Sequence, residues 1–109
     1  MVSVNGTTIE MTRGDTLTVQ IGINNADGTP YVPSQGDAIR FALKKDYSDR
    51  NPVILKTVDV EDLLLKLLPS DTKRLPYGDY VYDVELTQED GTVDTFIARA
   101  RLRITEEVY

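Results

Sequence analysis

Apolar and polar residues alternate with a period of two along most of the chain. Between residues 17 and 23 the apolar positions fall on one face and the polar positions on the other, which is typical of a half-buried β-strand. Five further segments show this alternation, and a short leucine-rich run follows an acidic turn at 59–62. The predicted strands lie at 7–11, 17–23, 38–45, 53–58, 64–68, 79–86 and 96–104, with Val2 and Val4 placed to pair with the first of them.

Turn-forming residues separate these segments. Arg13-Gly14-Asp15 predicts a tight turn, and we interpret this RGD sequence as ordinary turn chemistry rather than an integrin ligand. The leucines of 63–68 also suit a helix, but Pro69 and the short run favour a strand. Ser70 is the predicted N-cap of one short helical turn that ends before Pro76.

The last two predicted strands form a hairpin whose register depends on the loop. A three-residue loop, Glu89-Asp90-Gly91 with Gly91 left-handed, sets Val84 beside Phe96 and Tyr82 beside Ala98. A two-residue turn would mix the core and surface faces, so we predict the longer loop. The predicted inward residues are Tyr80, Tyr82, Val84, Leu86, Phe96, Ala98, Ala100, Leu102 and Ile104.

Together these segments predict a single all-β domain spanning residues 1–109. About seven short strands joined by glycine and proline turns are typical of an antiparallel β-sandwich, here with one short helical turn. A chain of 109 residues is long enough to bury one core without a disulfide.

Composition narrows the classes of function. The chain has no cysteine, histidine or tryptophan, so it lacks the usual neutral-pH base and cysteine metal ligands. Its net charge of −6 disfavours nucleic acid and anionic membranes as partners. Neither a signal peptide nor a membrane span is apparent in the sequence. We therefore expect a non-enzymatic protein without a cofactor or metal.

The stretch Gly78-Asp79-Tyr80-Val81-Tyr82 resembles the G-x-Y-x-C signature of immunoglobulin-like domains. The resemblance implies that Tyr80 is a corner tyrosine, whose hydroxyl bonds to backbone a few residues upstream. Tyr82 stands where those domains have their second cysteine, so the disulfide of antibody domains is excluded.

Four segments, which together cover most of the chain, carry a longer resemblance: "TRGDTLTVQI", "GDAIRFALKK", "LPSDTKRLPYGDYVYDVEL" and the strand after "EDGTVDT". They resemble small proteins of phage and prophage tail modules, related to the N-terminal domain of phage baseplate upper proteins. Such proteins are structural, so the resemblance implies docking to other tail or baseplate proteins, residence in the virion after synthesis in the host cytoplasm, and no enzymatic activity. Self-association is an open alternative.

Two groups of residues are candidate contacts for a partner. Arg99, Arg101 and Arg103 form a basic stripe, which suits cross-strand ion pairs with Asp79 and Asp83 or a docking face for an acidic partner. Loop aromatics often anchor interfaces, and we place Tyr31 and Tyr47 first among them, ahead of Tyr77 and Tyr109. The alternative function is an immunoglobulin-like module that binds carbohydrate or a cell-surface protein.

The acidic residues support neither a metal site nor catalysis. Asp59, Glu61 and Asp62 match no calcium-loop spacing, so a solvated turn is the simpler interpretation. Asp79, Asp83 and Glu85 are predicted on an exposed face opposite arginines, where acid–base catalysis has no pocket to work in.

Overall fold

The computed structural model describes residues 2–5, 8–24 and 27–106, and it confirms the all-β class. Thr7, at the start of the first predicted strand, and Tyr109 lie outside the described residues. Within them the chain forms eight strands and one helical turn. These are β1 (Val2–Asn5), β2 (Thr8–Thr12), β3 (Leu17–Gln20), β4 (Ala38–Lys44), β5 (Ile54–Val58), β6 (Leu64–Leu67), α1 (Pro69–Thr72), β7 (Gly78–Thr87) and β8 (Val93–Thr105).

The strands form a six-stranded sheet, in the order β1-β2-β8-β7-β4-β5, and a two-stranded sheet of β3 and β6. The larger sheet is mixed, because β2 runs parallel to β8 while its other pairs are antiparallel. The purely antiparallel prediction is therefore wrong. After β2 the chain turns and enters the smaller sheet as β3, so β2 lies between β1 and the last strand and does not pair with the strand that follows it.

Buried residues from both sheets form one core. Ile39, Phe41 and Leu43 of β4 are fully buried beside β7, as the alternation predicts. The smaller sheet contributes Leu17 opposite Leu67, and β2 contributes Ile9 and Met11. All of these residues belong to one cluster, whose fully buried members also include Leu65, Tyr80, Leu102 and Ile104.

Only the first part of the strand predicted at 17–23 pairs with another strand. β3 ends at Gln20, yet Ile21 and Ile23 remain buried. The Ile21 amide donates to the Leu63 carbonyl at 2.7 Å, and the Ile23 carbonyl accepts from Tyr31 at 2.9 Å. The backbone groups of this segment are thus paired with loops instead of a strand.

The helical turn α1 begins two residues earlier than predicted, at Pro69, with Leu68 and not Ser70 as its N-cap. Leu68 occupies the N-cap position, and its amide donates to the Asp71 carboxylate at 2.7 Å. A Leu68 side chain cannot accept the hydrogen bond that a serine N-cap would, and Asp71 reaches back to the free amide instead. Asp71 also forms a 2.9 Å ion pair with Lys56, which ties α1 to β5.

The RGD segment is a structural turn. The Asp15 amide donates to the Thr12 carbonyl at 3.1 Å, and Gly14 takes a left-handed φ of 85°. The Gly14 amide donates to the buried Thr72 hydroxyl at 3.0 Å, and Arg13 donates to the Tyr77 hydroxyl at 2.8 Å. These contacts hold the turn against the segment that follows α1.

The corner hydrogen bond expected of Tyr80 is present. Its hydroxyl donates to the Pro76 carbonyl at 2.6 Å, and the side chain is 1% exposed. The bond fixes the path of the chain as it enters β7 at Gly78, whose φ is 131°.

Replacing Tyr80 with phenylalanine should lower the free energy of unfolding by about 1 kcal/mol, because the Pro76 carbonyl loses its donor while the ring stays buried. Urea denaturation of the two proteins measures the difference. Tyr47→Phe is the comparison at an exposed tyrosine in a loop. An unchanged midpoint for Tyr80→Phe would show that the corner bond does not stabilise the fold.

Candidate docking surface on the six-stranded sheet

Two β-bulges interrupt the pairing of β7 with β8. Next to the loop, Thr87 pairs with Val93 and Glu85 with Thr95, which is the predicted register, and Gly91 is left-handed at φ 92°. Further along, Val84 pairs with Ile97 and Tyr82 with Ala100. The predicted pairs of Val84 with Phe96 and of Tyr82 with Ala98 are therefore wrong. The register changes by two residues across the bulges.

The bulges also change which β8 side chains are buried. Ala98 was predicted to be inward and is exposed, while Phe96 and Ile97 are both partly buried against the core. Beyond the bulges the prediction holds again, because Ala100, Leu102 and Ile104 are buried. The extra residues bend the strand and re-aim its side chains at one place on the sheet.

Arg99 lies in the second bulge from the loop and has a left-handed backbone with φ 54°. An L-residue with a Cβ pays about 1–2 kcal/mol for this conformation, and glycine would adopt it freely. The Arg99 amide donates to an Asp83 carboxylate oxygen at 2.8 Å, which stabilises the bulge. Because backbone strain clusters at functional sites, this position of an arginine is a candidate for function.

The Arg99 side chain stacks on Tyr47, so the structure brings together two of the residues that the sequence singled out separately. The guanidinium carbon lies 4.5 Å from the centre of the Tyr47 ring. Tyr47 is 43% exposed and stands in the loop between β4 and β5. It lines a shallow depression with Val81 and Arg99, on the side of the sheet that faces away from the core.

Hydrogen bonds within the β4–β5 loop hold Tyr47 in place. One Asp46 carboxylate oxygen accepts from both the amide and the hydroxyl of Ser48 at 3.1 Å. The Ser48 amide, more than its hydroxyl, lowers the pKa of Asp46 below its usual value. The Asp46 amide in turn donates to Asp49 at 3.0 Å, so the loop is ordered on both sides of the tyrosine.

Two further cations flank this depression on neighbouring strands. Lys44 of β4 and Arg101 of β8 both pair with Val81 of β7, one from each side. The residue between the two cations is apolar. Neither cation therefore has a carboxylate directly opposite it on β7. We call Lys44, Tyr47, Val81, Arg99 and Arg101 the bulge face.

Arg103 is placed differently from the other two arginines. It pairs with Asp79, which the predicted register placed opposite Arg101, and its Nε lies 3.8 Å from an Asp79 carboxylate oxygen. Both side chains are largely exposed, so the pair is worth at most about 1 kcal/mol. Arg103 therefore has an acidic neighbour within the chain, whereas Arg101 faces Val81.

Tyr31 lies at the end of the molecule that carries the β7–β8 loop. Its hydroxyl donates to the Asp37 carboxylate at 2.5 Å, and the Ser34 amide donates to the same oxygen at 3.1 Å. The other carboxylate oxygen accepts from the Glu89 amide at 3.2 Å. Asp37 is buried and joins the β3–β4 loop to the β7–β8 loop. Tyr31 thus has a structural contact, and its role as a partner contact stays a prediction.

Asp37 should make the stability of the fold sensitive to acid. The Tyr31 hydroxyl, followed by the Ser34 amide, lowers the pKa of Asp37 from its ordinary value of 3.8. A depressed folded pKa means that the ionised carboxylate stabilises the fold above the unfolded pKa, and that this contribution is lost as the pH falls through the folded pKa.

We expect Asp37→Asn to be less stable than the parent protein at neutral pH, and this difference to narrow as the pH falls below about 4. Chemical denaturation at several pH values measures both. Asp90→Asn is a control, because the amide of Thr92 lowers the Asp90 pKa within a single exposed turn. A difference that stays constant down to about pH 2 would contradict the assignment.

Arg99→Gly should change the free energy of unfolding by less than about 1 kcal/mol. The relief of left-handed strain offsets the lost stacking on Tyr47 and the greater freedom of glycine in the unfolded chain. Arg101→Gly is the matched control, because glycine in a regular strand destabilises without relieving strain. Thermal and urea unfolding measure both variants. A loss above about 2 kcal/mol for Arg99→Gly would mean that the side chain is needed for folding.

The acidic turn between β5 and β6 uses its carboxylates locally. Asp59 accepts from the Glu61 amide at 2.9 Å, and Asp62 accepts from the Leu64 amide at 3.0 Å. Across residues 2–5, 8–24 and 27–106, no three carboxylates gather to hold a metal ion. The same ranges contain no helix long and apolar enough to cross a membrane.

The sequence identified three residues of the bulge face, Tyr47, Arg99 and Arg101. It did not indicate Lys44, Val81 or the two β-bulges. The adjacent apolar residues Phe96 and Ile97 are the signal that could have indicated the bulges, because strict alternation cannot bury both. Comparison with known proteins adds no relative: no protein-family model matches the chain, and no curated protein sequence matches it.

Proposed function

We propose that this protein is a non-enzymatic structural component of a phage or prophage tail or baseplate, acting through protein–protein docking. The observation that carries the docking proposal is the bulge face. A strained arginine, an ordered tyrosine and two cations flanking an apolar residue lie on one side of the sheet. Arginine and tyrosine are enriched at the energetic centres of protein interfaces.

The tail or baseplate assignment is supported by the sequence resemblance. Its third segment, residues 68–86, corresponds to one continuous unit of α1, the Pro-Tyr-Gly turn and β7, closed by the Tyr80 corner. In this proposal the sheet is a rigid platform that presents the bulge face to a neighbouring tail protein. Many copies in a symmetric particle would compensate for weak single contacts.

We also propose that the fold is an immunoglobulin-like sandwich. The adjacent strands β4, β7 and β8 correspond to strands C, F and G of such a domain, and the β3–β6 pair corresponds to B and E. The corner position of Tyr80 at the start of β7 supports the same correspondence. In this arrangement the smaller sheet covers the core, and the bulge face is left on the outer side of the larger sheet.

The carbohydrate-binding alternative has less support. Sugar rings pack against open aromatic faces, and the Arg99 guanidinium covers one face of Tyr47. A docked protein can contact the stacked Arg99 and Tyr47 side chains without separating them.

Purified particles test the proposal. After induction of the prophage, particles are banded on a density gradient and their proteins are quantified by mass spectrometry. We expect the chain to band with tail proteins in several copies per particle, while an abundant host protein of similar size stays in the soluble fraction. Finding the chain only with the host protein would contradict a role in the finished tail.

A further inference from the structure

We propose that the bulge face binds an acidic segment of its protein partner, with Arg101 and Lys44 as the residues that hold its carboxylates. This inference rests on the proposed docking function and names the chemistry of the partner. Three features of the bulge face support it: two cations without an acid opposite them on β7, the strain at Arg99, and the apolar residue between the cations.

The first step concerns charge within the sheet. On the outer side of the larger sheet, two cations pair in register with an acid: Arg40 with Glu85, and Arg103 with Asp79. Lys44 and Arg101 instead share Val81 as their neighbour. Neither Lys44 nor Arg101 forms an ion pair in the described part of the chain, so both can meet a carboxylate from another molecule.

The second step concerns spacing. Lys44 and Arg101 are two strands apart, which places their backbones about 10 Å from each other. At this spacing, two carboxylates of one segment can each contact one of the two cations. Val81 and the Tyr47 ring lie between and beside them, where an apolar group of the segment would pack.

The third step concerns Arg99. Its side chain is already stacked on Tyr47, and its amide is bound by Asp83. The arginine is therefore pre-ordered, and its guanidinium edge can donate to a carboxylate at a small entropic cost. The strained backbone is explained if the position requires a guanidinium, since glycine would fold there with less strain.

Nucleic acid and an anionic lipid surface fit the bulge face less well than an acidic protein segment. Asp83 lies beside Arg99, and Asp46 lines the same depression, so a continuous run of phosphates would meet these carboxylates. Phosphate binding also favours an uninterrupted basic track and a basic domain, whereas this chain is acidic. A short segment with spaced carboxylates avoids both conflicts.

The test uses nuclear magnetic resonance with the full chain and a capped Glu-Gly-Val-Gly-Glu peptide as the probe, at low salt. We expect peptide-dependent shifts of backbone amides at residues 44, 47, 81, 99 and 101, weakening as salt is added. Lys44→Glu with Arg101→Glu should reduce the affinity at least about tenfold, because two attractions become repulsions. Lys73→Glu with Arg74→Glu is the matched control, since it changes the net charge equally at exposed residues after α1.

Each other outcome overturns the inference. Equal losses in the two double variants would show only a general charge effect. Shifts centred elsewhere, or none up to millimolar peptide, would remove the bulge face as the site. Tighter binding of a thymidine dodecamer at the same residues would favour nucleic acid, and concentration-dependent self-association through this face would favour a second copy. The gradient experiment on particles is independent, so the tail assignment can survive the failure of this one.

Discussion

Replacing Phe41 with alanine should lower the free energy of unfolding by about 3–5 kcal/mol, the usual cost of removing a large aromatic ring from a core. Phe41 is fully buried in the middle of β4, between β5 and β7. Its ring lies 5.2 Å from that of Tyr82, centre to centre, so the substitution also removes an aromatic pair. Urea denaturation followed by circular dichroism measures the loss.

Leu55→Ala is the control for this substitution. Leu55 is on the neighbouring strand, opposite Ala42, and is 61% exposed. Its replacement should change the stability by no more than about 0.5 kcal/mol. Similar effects of the two substitutions would mean that β4 does not present Phe41 to the core.

Leu67→Ala should cost about 2–5 kcal/mol, and it tests whether the two-stranded sheet covers the core. Leu67 pairs with Leu17 across β6 and β3, and both side chains are 0% exposed. The next residue, Leu68, is the same amino acid at 43% exposure, so Leu68→Ala is a matched control with an expected change within about 0.5 kcal/mol.

The difference between the two leucine variants is the informative quantity, and the denaturation midpoints of both are measured in one experiment. A cost for Leu67→Ala as small as that for Leu68→Ala would indicate that β3 and β6 are not packed against the larger sheet. The proposed sandwich would then be wrong, although the bulge face on the opposite side would be unaffected.

Local sequence patterns were sufficient for most strands. The alternation of β4 and β7 reports which side chains are buried, because successive residues of a strand point to opposite faces. Turn chemistry was equally informative at Gly14 and Gly91, where a left-handed backbone favours glycine. The corner role of Tyr80 could be inferred from a short motif, since its hydrogen bond spans only four residues.

Long-range pairing could not be read from the same patterns. The parallel contact of β2 with β8 joins the two ends of the chain, and neither strand carries a local signal for the direction of its partner. Asp37 is a second case, because its bond to the Glu89 amide spans 52 residues. The start of α1 was missed for a local reason. Serine is a favoured N-cap residue, but here the Asp71 side chain, within the turn, accepts from the Leu68 amide and caps α1.

The candidate site shows the same division. Tyr47 and Arg99 were identified as separate candidates by residue type, and their stacking depends on two bulges that together shift the register by two residues. The left-handed backbone of Arg99 could not be anticipated, because an arginine gives no signal for it. A local conflict of this kind between residue and conformation is expected where function constrains the sequence.

Immunogold electron microscopy tests whether the protein belongs to a phage tail, as we propose. Particles induced from the strain that encodes the chain are labelled with antibody raised against the folded protein. We expect gold at the tail tip or baseplate in most particles. Tails without gold, under conditions where the antibody binds the purified native protein, would contradict it.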